Sequence, residues 1–367
     1  MTDVTASRLA IAGRRGIIRR YFEQLPVTEA TPIVTLDEGD TPLIFSDRIS
    51  DAVSAEVWLK YEGLNPTGSF KDRGMTLAMS KALEGGARAV VCASTGNTSA
   101  SAAAYASRAG LACAVLIPDV NVAMGKLAQA LAHGARVFQI DGNFDRALDL
   151  VRELARERPI TIVNSLNPDR IEGQKTGALE IVEALGRAPD VHVMPVGNAG
   201  NITAYWRGYT QAVEIGWCMA APAMYGVQAR GADPIVRGEP VADPRTAATA
   251  IRIGNPASWE SAVAAARASG GAVLSVSDDD IISAYRTLAA EGIFVELASA
   301  ASIAGLRRLQ RDGRVPDGAV VVCVLTGHGL KDPDWAIASG PRPRRVPGEA
   351  GAILQALDLD RPPGELD

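Results

Sequence analysis

Residues that build disulfide scaffolds or metal centres are scarce in this chain of 367 residues. Its four cysteines lie scattered in apolar stretches without a Cys-x-x-Cys spacing, and its three histidines stand apart from one another. This pattern indicates neither a disulfide framework nor a zinc site. The formal net charge is only −5, with acids and bases interspersed, so no basic surface for nucleic acid or an anionic membrane is expected. Small solutes are the expected partners.

Long apolar runs are also missing. No stretch approaches the roughly 20 apolar residues that a membrane-spanning helix requires. The arginines near the N-terminus, Arg14, Arg15, Arg19 and Arg20, are not followed by the apolar segment of a signal peptide. We therefore expect a cytoplasmic protein with reduced cysteines and no membrane partner.

From residue 57 onward, short β-branched runs alternate with alanine-rich segments of helical periodicity. This alternation predicts an α/β fold with mostly parallel sheets, and the strands are apolar throughout, as expected when helices cover both faces. An apolar content of 47% allows one large core or two moderate ones. In such sheets a ligand binds at the carboxyl ends of the strands. The candidate strands are Val57–Tyr61, Ala89–Ala93, Ala112–Ile117, Arg136–Ile140, Thr161–Val163, Val191–Val196, Met224–Val227 and Ala319–Leu325.

The segment Asn65–Gly74 places a lysine where a turn becomes a helix. Pro66 fixes φ, Gly68 tolerates positive φ, and Ser69 can cap the helix that follows. Lys71 would then lie in the first helical turn, where the helix dipole and partial desolvation disfavour its ammonium form. It is therefore a candidate Schiff-base nucleophile for a carbonyl cofactor. The alternative is a solvated, charged helix face.

A polar turn, Ser94–Ser101, follows the predicted strand Ala89–Ala93. Its hydroxyls, the Asn97 amide and the free N–H groups of a helix N-terminus suit a carboxylate. Asn97 can also hydrogen-bond a phenolic oxygen on a cofactor ring. An ordinary Ser/Thr helix cap would explain one or two of these residues, but not the whole run from Thr95 to Thr98.

A glycine-rich turn, Gly197-Asn198-Ala199-Gly200-Asn201, follows the predicted strand Val191–Val196. Small residues let successive backbone N–H groups surround an anion at the start of the next helix, which is typical of a phosphate site. The turn matches neither Walker A nor Gly-x-Gly-x-x-Gly, and no acidic residue for a ribose follows, so one terminal phosphate fits better than a dinucleotide. A plain βα turn is the alternative.

Two further polar segments complete the set. Thr326 emerges at the end of the predicted strand Ala319–Leu325, where its hydroxyl can meet a heteroaromatic nitrogen. His328 is expected at the pocket edge, and a general base is the alternative. The segment from Asn164 through Ser165 to Arg170 offers an amide, a hydroxyl and a guanidinium, a chemistry that holds a phosphate on a substrate. A polar helix start with a charged face explains this last segment equally well.

In this order, the segments resemble the threonine synthase family, within the fold type II pyridoxal-5′-phosphate enzymes, from about Thr41 to Pro333. The resemblance implies a fold like that of the tryptophan synthase β chain: two open, twisted, mostly parallel sheets covered by helices, with the cofactor between the lobes. It implies an internal aldimine on Lys71 and cofactor contacts from Asn97, from Gly197, Asn198, Ala199, Gly200 and Asn201, and from Thr326. It further implies substrate contacts from Thr95, Thr98, Asn164, Ser165 and Arg170.

The same resemblance implies a lyase that converts O-phospho-L-homoserine and water to L-threonine and phosphate in threonine biosynthesis, as a cytoplasmic homodimer. A larger cofactor-binding domain would comprise residues 1–75 and 164–340, a smaller mobile domain residues 76–163, and a linker with a short helix residues 341–367. A neutral hydroxyl beside the pyridine nitrogen is expected to leave that nitrogen largely unprotonated.

Two positions depart from the family pattern: Leu297 stands where proline is usual, and His328 where asparagine is usual. They leave open a related enzyme that uses another phosphorylated amino acid or another nucleophile. A non-enzymatic sensor of a phosphorylated ligand is a further alternative, whereas a nicotinamide oxidoreductase is disfavoured because the dinucleotide fingerprint is absent.

Overall fold

The computed structural model describes residues 16–118, 124–142 and 144–357, and its strands and helices alternate along most of this length. Contacts divide the chain into one unit that ends at Asp332 and a second that begins at Pro333. The described strands are β1 (Leu43–Phe45), β2 (Glu56–Tyr61), β3 (Ala89–Ala93), β4 (Ala112–Pro118), β5 (Arg136–Ile140), β6 (Ile160–Ile162), β7 (Val191–Pro195), β8 (Ala223–Ala229), β9 (Ala272–Val276) and β10 (Val320–Leu325).

Helices connect these strands. Those of the first unit are α1 (Ile17–Arg20), α2 (Asp47–Val53), α3 (Lys71–Glu84), α4 (Asn97–Ala109), α5 (Met124–Ala132), α6 (Phe144–Glu157), α7 (Pro168–Leu185), α8 (Gly200–Glu214), α9 (Pro234–Arg237), α10 (Trp259–Ala268), α11 (Asp278–Ala290) and α12 (Ala301–Arg311). The second unit contains α13 (Pro333–Ser339) and α14 (Ala350–Ala356). None of the helices in the described ranges is long and apolar enough to cross a membrane.

The described residues of the first unit form two sheets. One has six strands in the order β1-β2-β10-β7-β8-β9, all parallel to their neighbours except β1, which is antiparallel to β2. The other has four parallel strands in the order β5-β4-β3-β6. These sheets confirm the predicted α/β class. The proposed division into domains at residues 75 and 163 stays a prediction.

Burial on both faces explains why the strands are apolar throughout. In β3, Val90 and Cys92 pack with α3 and α4 on one face, while Val91 and Ala93 pack on the other face with Val151 of α6. Successive side chains of a strand point to opposite faces, so a strand covered on both sides carries no polar alternation. All four cysteines are buried, and none forms a disulfide.

Local capping sets where two helices begin. Asn167 caps α7 by accepting hydrogen bonds from the backbone N–H groups of Asp169 and Arg170, and Pro168 occupies the first helical turn. Ser277 caps α11 through a reciprocal arrangement with Asp280. The cap of α7 fixes the position of Arg170, which lies in the first turn of that helix.

The strand order places the loops of the candidate site side by side. In the larger sheet, β10 lies between β2 and β7, so the loops that follow these strands contain the Lys71 segment, Thr326 and the glycine-rich turn. In the smaller sheet, β3 lies beside β6, so the Ser94–Ser101 turn is next to the segment that begins at Asn164. Because parallel strands end at the same edge, both groups of loops lie at carboxyl ends.

Candidate active site

Lys71 is the first residue of α3 and is held at the end of β10. The Phe70 N–H donates to the Thr326 carbonyl oxygen over 3.1 Å, and Ser69 forms a β-bridge with Gly327. Ser69 Oγ accepts from the Lys71 N–H over 3.4 Å, but the N-cap residue of α3 is Phe70 and no side chain caps the helix, so the prediction that Ser69 is the cap was wrong. The Lys71 Nζ atom lies 4.2 Å from the centroid of the Phe70 ring. The lysine is therefore fixed at both its backbone and its side chain.

Burial gives Lys71 an unusual charge state. Desolvation, and next the positive charge of Arg170, lower the pKa of Lys71 to about 7, against the opposing effect of Glu296. About half of an amine with this pKa is a neutral nucleophile at pH 7.

Asp72 joins the lysine helix to the neighbouring α4. Its carboxylate accepts hydrogen bonds from the Thr67 N–H at 2.7 Å, from the Thr67 hydroxyl at 2.5 Å and from the Ser101 hydroxyl at 2.6 Å. Burial raises the pKa of Asp72 to about 6, against these hydrogen bonds. Asp72 thus ties the loop before Lys71 to the helix that begins at Asn97.

Arg73 anchors α3 on its other side. Its guanidinium forms ion pairs with Glu62 at 2.7 Å and with Glu180 at 2.6 Å, and Lys60 pairs with Glu180 at 2.8 Å. Although burial alone would raise it, the charges of Arg73 and Lys60 hold the pKa of Glu180 well below its usual range. The network joins β2, α3 and α7 beneath the site, and its complete pairing makes a buried charge cluster tolerable.

Asn97 and Thr326 converge on one buried carboxylate. The Asn97 Nδ2 atom donates to Glu296 Oε2 over 2.9 Å, and the Thr326 hydroxyl donates to Glu296 Oε1 over 3.2 Å. Thr95 and Asn97 are partly exposed, whereas Thr98 is buried. The structure thus places the predicted ring-binding residues together. It adds Glu296, which sequence reasoning missed, although a single acid within an apolar run was an available signal.

The glycine-rich turn has the shape expected of an anion site. Ala199 adopts a left-handed conformation with φ of 66°, and α8 begins at Gly200. A Cβ at Gly197 would lie 3.3 Å from the Ala250 carbonyl oxygen, so this wall is closely packed. The Asn201 Oδ1 and Nδ2 atoms are buried without a partner among the described residues. Free N–H groups at the helix start and an unsatisfied amide fit a cofactor phosphate.

Arg170 is a buried cation beside the lysine. Its side chain is almost wholly buried; Nη1 donates to the Val163 carbonyl oxygen over 3.1 Å, while Nε has no partner among the described residues. Burial lowers the pKa of the Arg170 guanidinium to about 10. A buried guanidinium with a spare donor suits an anionic substrate group.

The other residues of that segment differ in their surroundings. The Asn164 side chain both accepts from the Ala93 N–H at 3.0 Å and donates to the Ala93 carbonyl oxygen at 2.9 Å, so it holds the end of β3. Ser165 is partly exposed. Lys175 forms an ion pair with Glu172 at 2.5 Å.

His328 has a structural role at the edge of the site. Its Nδ1 atom accepts from the Leu330 N–H over 3.2 Å, and its ring stacks on Tyr61 with a centroid separation of 6.2 Å. Burial lowers the pKa of His328. These contacts agree with the interpretation of His328 as a pocket-edge residue. Leu297 is buried and begins a short 3-10 turn after Glu296.

The sequence is similar to those of pyridoxal-phosphate-dependent enzymes and of threonine synthases. The model of the family "Pyridoxal-phosphate dependent enzyme" matches residues 34–327. Threonine synthase of Mycobacterium tuberculosis is 58% identical over 346 residues, which cover 94% of this chain and 96% of that protein. Threonine synthase of Synechocystis is 60% identical over 326 residues, covering 88% and 85%, and that of Methanocaldococcus jannaschii is 48% identical over 349 residues, covering 92% and 86%.

Solved structures with lower identity share the fold. Maize serine racemase superposes with a TM-score of 0.73 at 20% identity, covering 84% of this chain and 94% of that chain. The processed form of threonine deaminase isoform 2 from Solanum lycopersicum superposes with a TM-score of 0.72 at 21% identity, covering 87% and 92%.

Proposed function

The chain belongs to the pyridoxal-phosphate-dependent enzymes and, within them, to the threonine synthases, and from this premise we propose how its residues convert O-phospho-L-homoserine and water to L-threonine and phosphate. The observation that carries the proposal is the position of Lys71. Its amine, with a pKa lowered to about 7, lies close enough to Arg170 and Glu296 for their charges to act on it. Catalysis and recognition of an anionic substrate thus meet at one place.

We propose that the cofactor is held at three points. Lys71 would bind its aldehyde carbon, the turn from Gly197 to Asn201 would hold its phosphate, and Asn97 and Thr326 would contact its ring. The unsatisfied Asn201 amide and the convergence of Asn97 and Thr326 near Lys71 support this assignment. When bound, pyridoxal phosphate supplies an electron sink for the substrate carbons.

The substrate would lie over the lysine. Thr95 and Thr98 at the start of α4 would bind its carboxylate, because a helix N-terminus stabilises an anion. Arg170, with Asn164 and Ser165, would bind its phosphate. Asn164 already makes two hydrogen bonds with Ala93, so it would bind the phosphate through the second hydrogen of its Nδ2 atom.

Lys71 Nζ is positioned to move protons between neighbouring substrate carbons. We propose that it removes the protons at Cα and Cβ, and that the electrons left at Cβ form a Cβ–Cγ double bond while the Cγ–O bond breaks and phosphate leaves with the bond electrons and one of these protons. Lys71 then delivers the other proton to Cγ. Water adds its hydroxide to Cβ, and its remaining proton passes to Cα. A phosphate leaving group held by Arg170 departs more easily because its charge is compensated.

Closure of a smaller domain, residues 76–163, would exclude water until phosphate has left. Homodimer assembly and cytoplasmic location remain part of the same proposal. Light scattering of the purified protein tests the dimer: a mass near twice 38.4 kDa is expected, and a monomer would contradict it.

The decisive experiment measures phosphate release and the amino-acid product together. Purified protein with O-phospho-L-homoserine should release phosphate and threonine in equal amounts, and O-phospho-L-serine serves as the competing substrate. Lys71→Ala should abolish turnover, whereas Arg170→Ala should mainly weaken binding of the phosphorylated substrate. Borohydride reduction followed by peptide mapping should label Lys71. An unlabelled Lys71, or preference for phosphoserine, would refute the proposal.

A further inference from the structure

Glu296 is the buried acid that connects two edges of the cofactor site. Glu296 is 4% exposed, and its two carboxylate oxygens accept hydrogen bonds from Asn97 Nδ2 and Thr326 Oγ1. The carboxyl group packs on Gly327, where an added Cβ would lie 2.5 Å from the Glu296 Cδ atom. The absence of a side chain at Gly327 therefore leaves room for the Glu296 carboxyl group, yet no step proposed above uses Glu296.

The hydroxyl of Thr326 has one hydrogen to share between two neighbours. It can donate to Glu296 or to a ring nitrogen, but not to both. Ser299 Oγ also lies 3.1 Å from Thr326 Oγ1, and it accepts from the Gly327 N–H at 3.0 Å. An unprotonated ring nitrogen only accepts, so it requires the Thr326 hydrogen. The Thr326 oxygen would then present a lone pair to Glu296 Oε1, and the two oxygens would repel each other unless Glu296 carried a hydrogen itself.

The same proton count therefore allows two arrangements. In one, Glu296 is a neutral acid that donates to Thr326, which donates to a neutral ring nitrogen. In the other, the proton lies on the ring nitrogen, and the hydrogen bonds reverse toward an ionised Glu296. The second arrangement separates charge inside a buried site, which costs free energy that the neutral arrangement avoids.

Burial of Glu296 favours the neutral arrangement. Desolvation raises the pKa of Glu296, although the hydrogen bond from Asn97, the charge of Lys331, the hydrogen bond from Thr326 and the charge of Lys71 oppose this shift. Lys331 donates to the Thr67 carbonyl oxygen at 3.0 Å and to Gln129, so its own hydrogen bonds are directed to groups other than Glu296.

We propose that Glu296, with pyridoxal phosphate bound, is a neutral carboxylic acid that donates its hydrogen to Thr326 and so directs the Thr326 hydroxyl toward the ring nitrogen. The proposal rests on the proposed function and assigns Glu296 as a positioning residue that acts through Thr326. Its consequence is a neutral pyridine ring, which withdraws electrons only moderately.

Substitution by glutamine distinguishes the two arrangements. A glutamine side chain can accept from Asn97 through its oxygen and donate to Thr326 through its nitrogen, so Glu296→Gln reproduces the neutral acid and not the carboxylate. Glu296→Met keeps the approximate volume without either hydrogen bond. Glu291→Gln is the matched control, because Glu291 accepts from Ser46 instead.

The full-length protein is loaded with pyridoxal phosphate labelled at its ring nitrogen, and the nitrogen resonance and the cofactor dissociation constant are measured. The wild type should give the resonance of an unprotonated, hydrogen-bonded nitrogen. Glu296→Gln should keep that resonance and a dissociation constant within about threefold of wild type, as about 0.7 kcal/mol or less would allow. Glu296→Met should shift the resonance and weaken binding by about tenfold.

Each of these measurements either supports or overturns the assignment of Glu296 as a neutral acid. A protonated nitrogen in the wild type, a changed resonance or lost binding in Glu296→Gln, or wild-type behaviour in Glu296→Met would overturn the assignment. If Glu296→Met does not fold, infrared spectroscopy of the loaded protein replaces the measurements on that variant. The band of a protonated carboxylic acid should be present in the wild type and absent from Glu296→Gln. Absence of the band from the wild type refutes the assignment. If no labelled cofactor attaches to Lys71, the proposed function itself has failed.

Discussion

The depressed pKa of Lys71 predicts a large excess of reactive amine at neutral pH. With a pKa of about 7, half of the Lys71 side chains are neutral amines at pH 7. An exposed lysine with a pKa of about 10.4 is neutral in only about one molecule in 2,500 at that pH. Lys71 should therefore contain about a thousandfold more free amine than an ordinary lysine.

Competitive labelling measures this difference directly. Protein without cofactor is treated with trace acetic anhydride between pH 6 and pH 11, and the acetylated fraction of each lysine peptide is quantified by mass spectrometry. Lys71 labelling should rise with a midpoint near pH 7. Lys81 lies in the same helix with a side chain 28% exposed, and its peptide serves as the internal control for reagent and pH.

Arg170 supplies the second part of this prediction. Its positive charge is the second cause of the shift, after burial, so Arg170→Met should move the Lys71 midpoint to higher pH without restoring the value of an exposed lysine. A wild-type midpoint near pH 10 would refute the burial of the ammonium group. An unchanged midpoint in Arg170→Met would refute only the contribution of Arg170 and leave the effect of burial in place.

Three further substitutions test packing and the cofactor site. Arg73→Met should lower the free energy of unfolding by about 3–5 kcal/mol in urea titrations, because the buried Glu62 loses its cationic partner and Glu180 keeps only Lys60. Arg20→Met, which breaks partly exposed pairs, should cost below about 1 kcal/mol, and similar losses in the two variants would contradict this prediction. Gly173→Ala should destabilise by about 1–3 kcal/mol because its Cβ would lie 2.1 Å from the Arg73 carbonyl oxygen, while Gly351→Ala, which meets open space, should have little effect. Asn201→Ala should weaken pyridoxal phosphate binding about tenfold with an unchanged melting temperature of the cofactor-free protein, since its amide has no partner among the described residues; unchanged cofactor affinity would remove Asn201 from the site.

Strand prediction succeeded for Ala89–Ala93, where burial on both faces left a continuous apolar run. Arg136–Ile140 also has the predicted bounds, although it is an edge strand whose side chains are partly or fully exposed. Two short strands were missed. Leu43–Phe45 is an edge strand of three residues that forms only by pairing with β2. Ala272–Val276 is a five-residue strand that follows the turn at Gly270 and Gly271, a signal that was available in the sequence. Short segments take their conformation from neighbouring strands more than from their own residues.

Contacts between distant parts of the chain were not predictable in the same way. Glu296 meets Asn97 across 199 residues, and Arg73 meets Glu180 across 107 residues. Asn164 was expected at the substrate, and the structure adds that its amide holds the end of β3. Each of these pairings depends on which strands are neighbours, and the sequence contains no local signal for that order.

The sequence by itself determined the elements whose causes are local. Backbone constraint at Pro66 and Gly68, the helix start at Lys71 and the small residues from Gly197 to Gly200 act within a few positions, so their chemistry could be inferred before any fold was known. Only the tertiary structure decided which charges surround Lys71 and that Glu296 joins Asn97 to Thr326. The reason is physical: desolvation and hydrogen-bond direction depend on every group that packs around a site, and packing exists only after distant strands have come together.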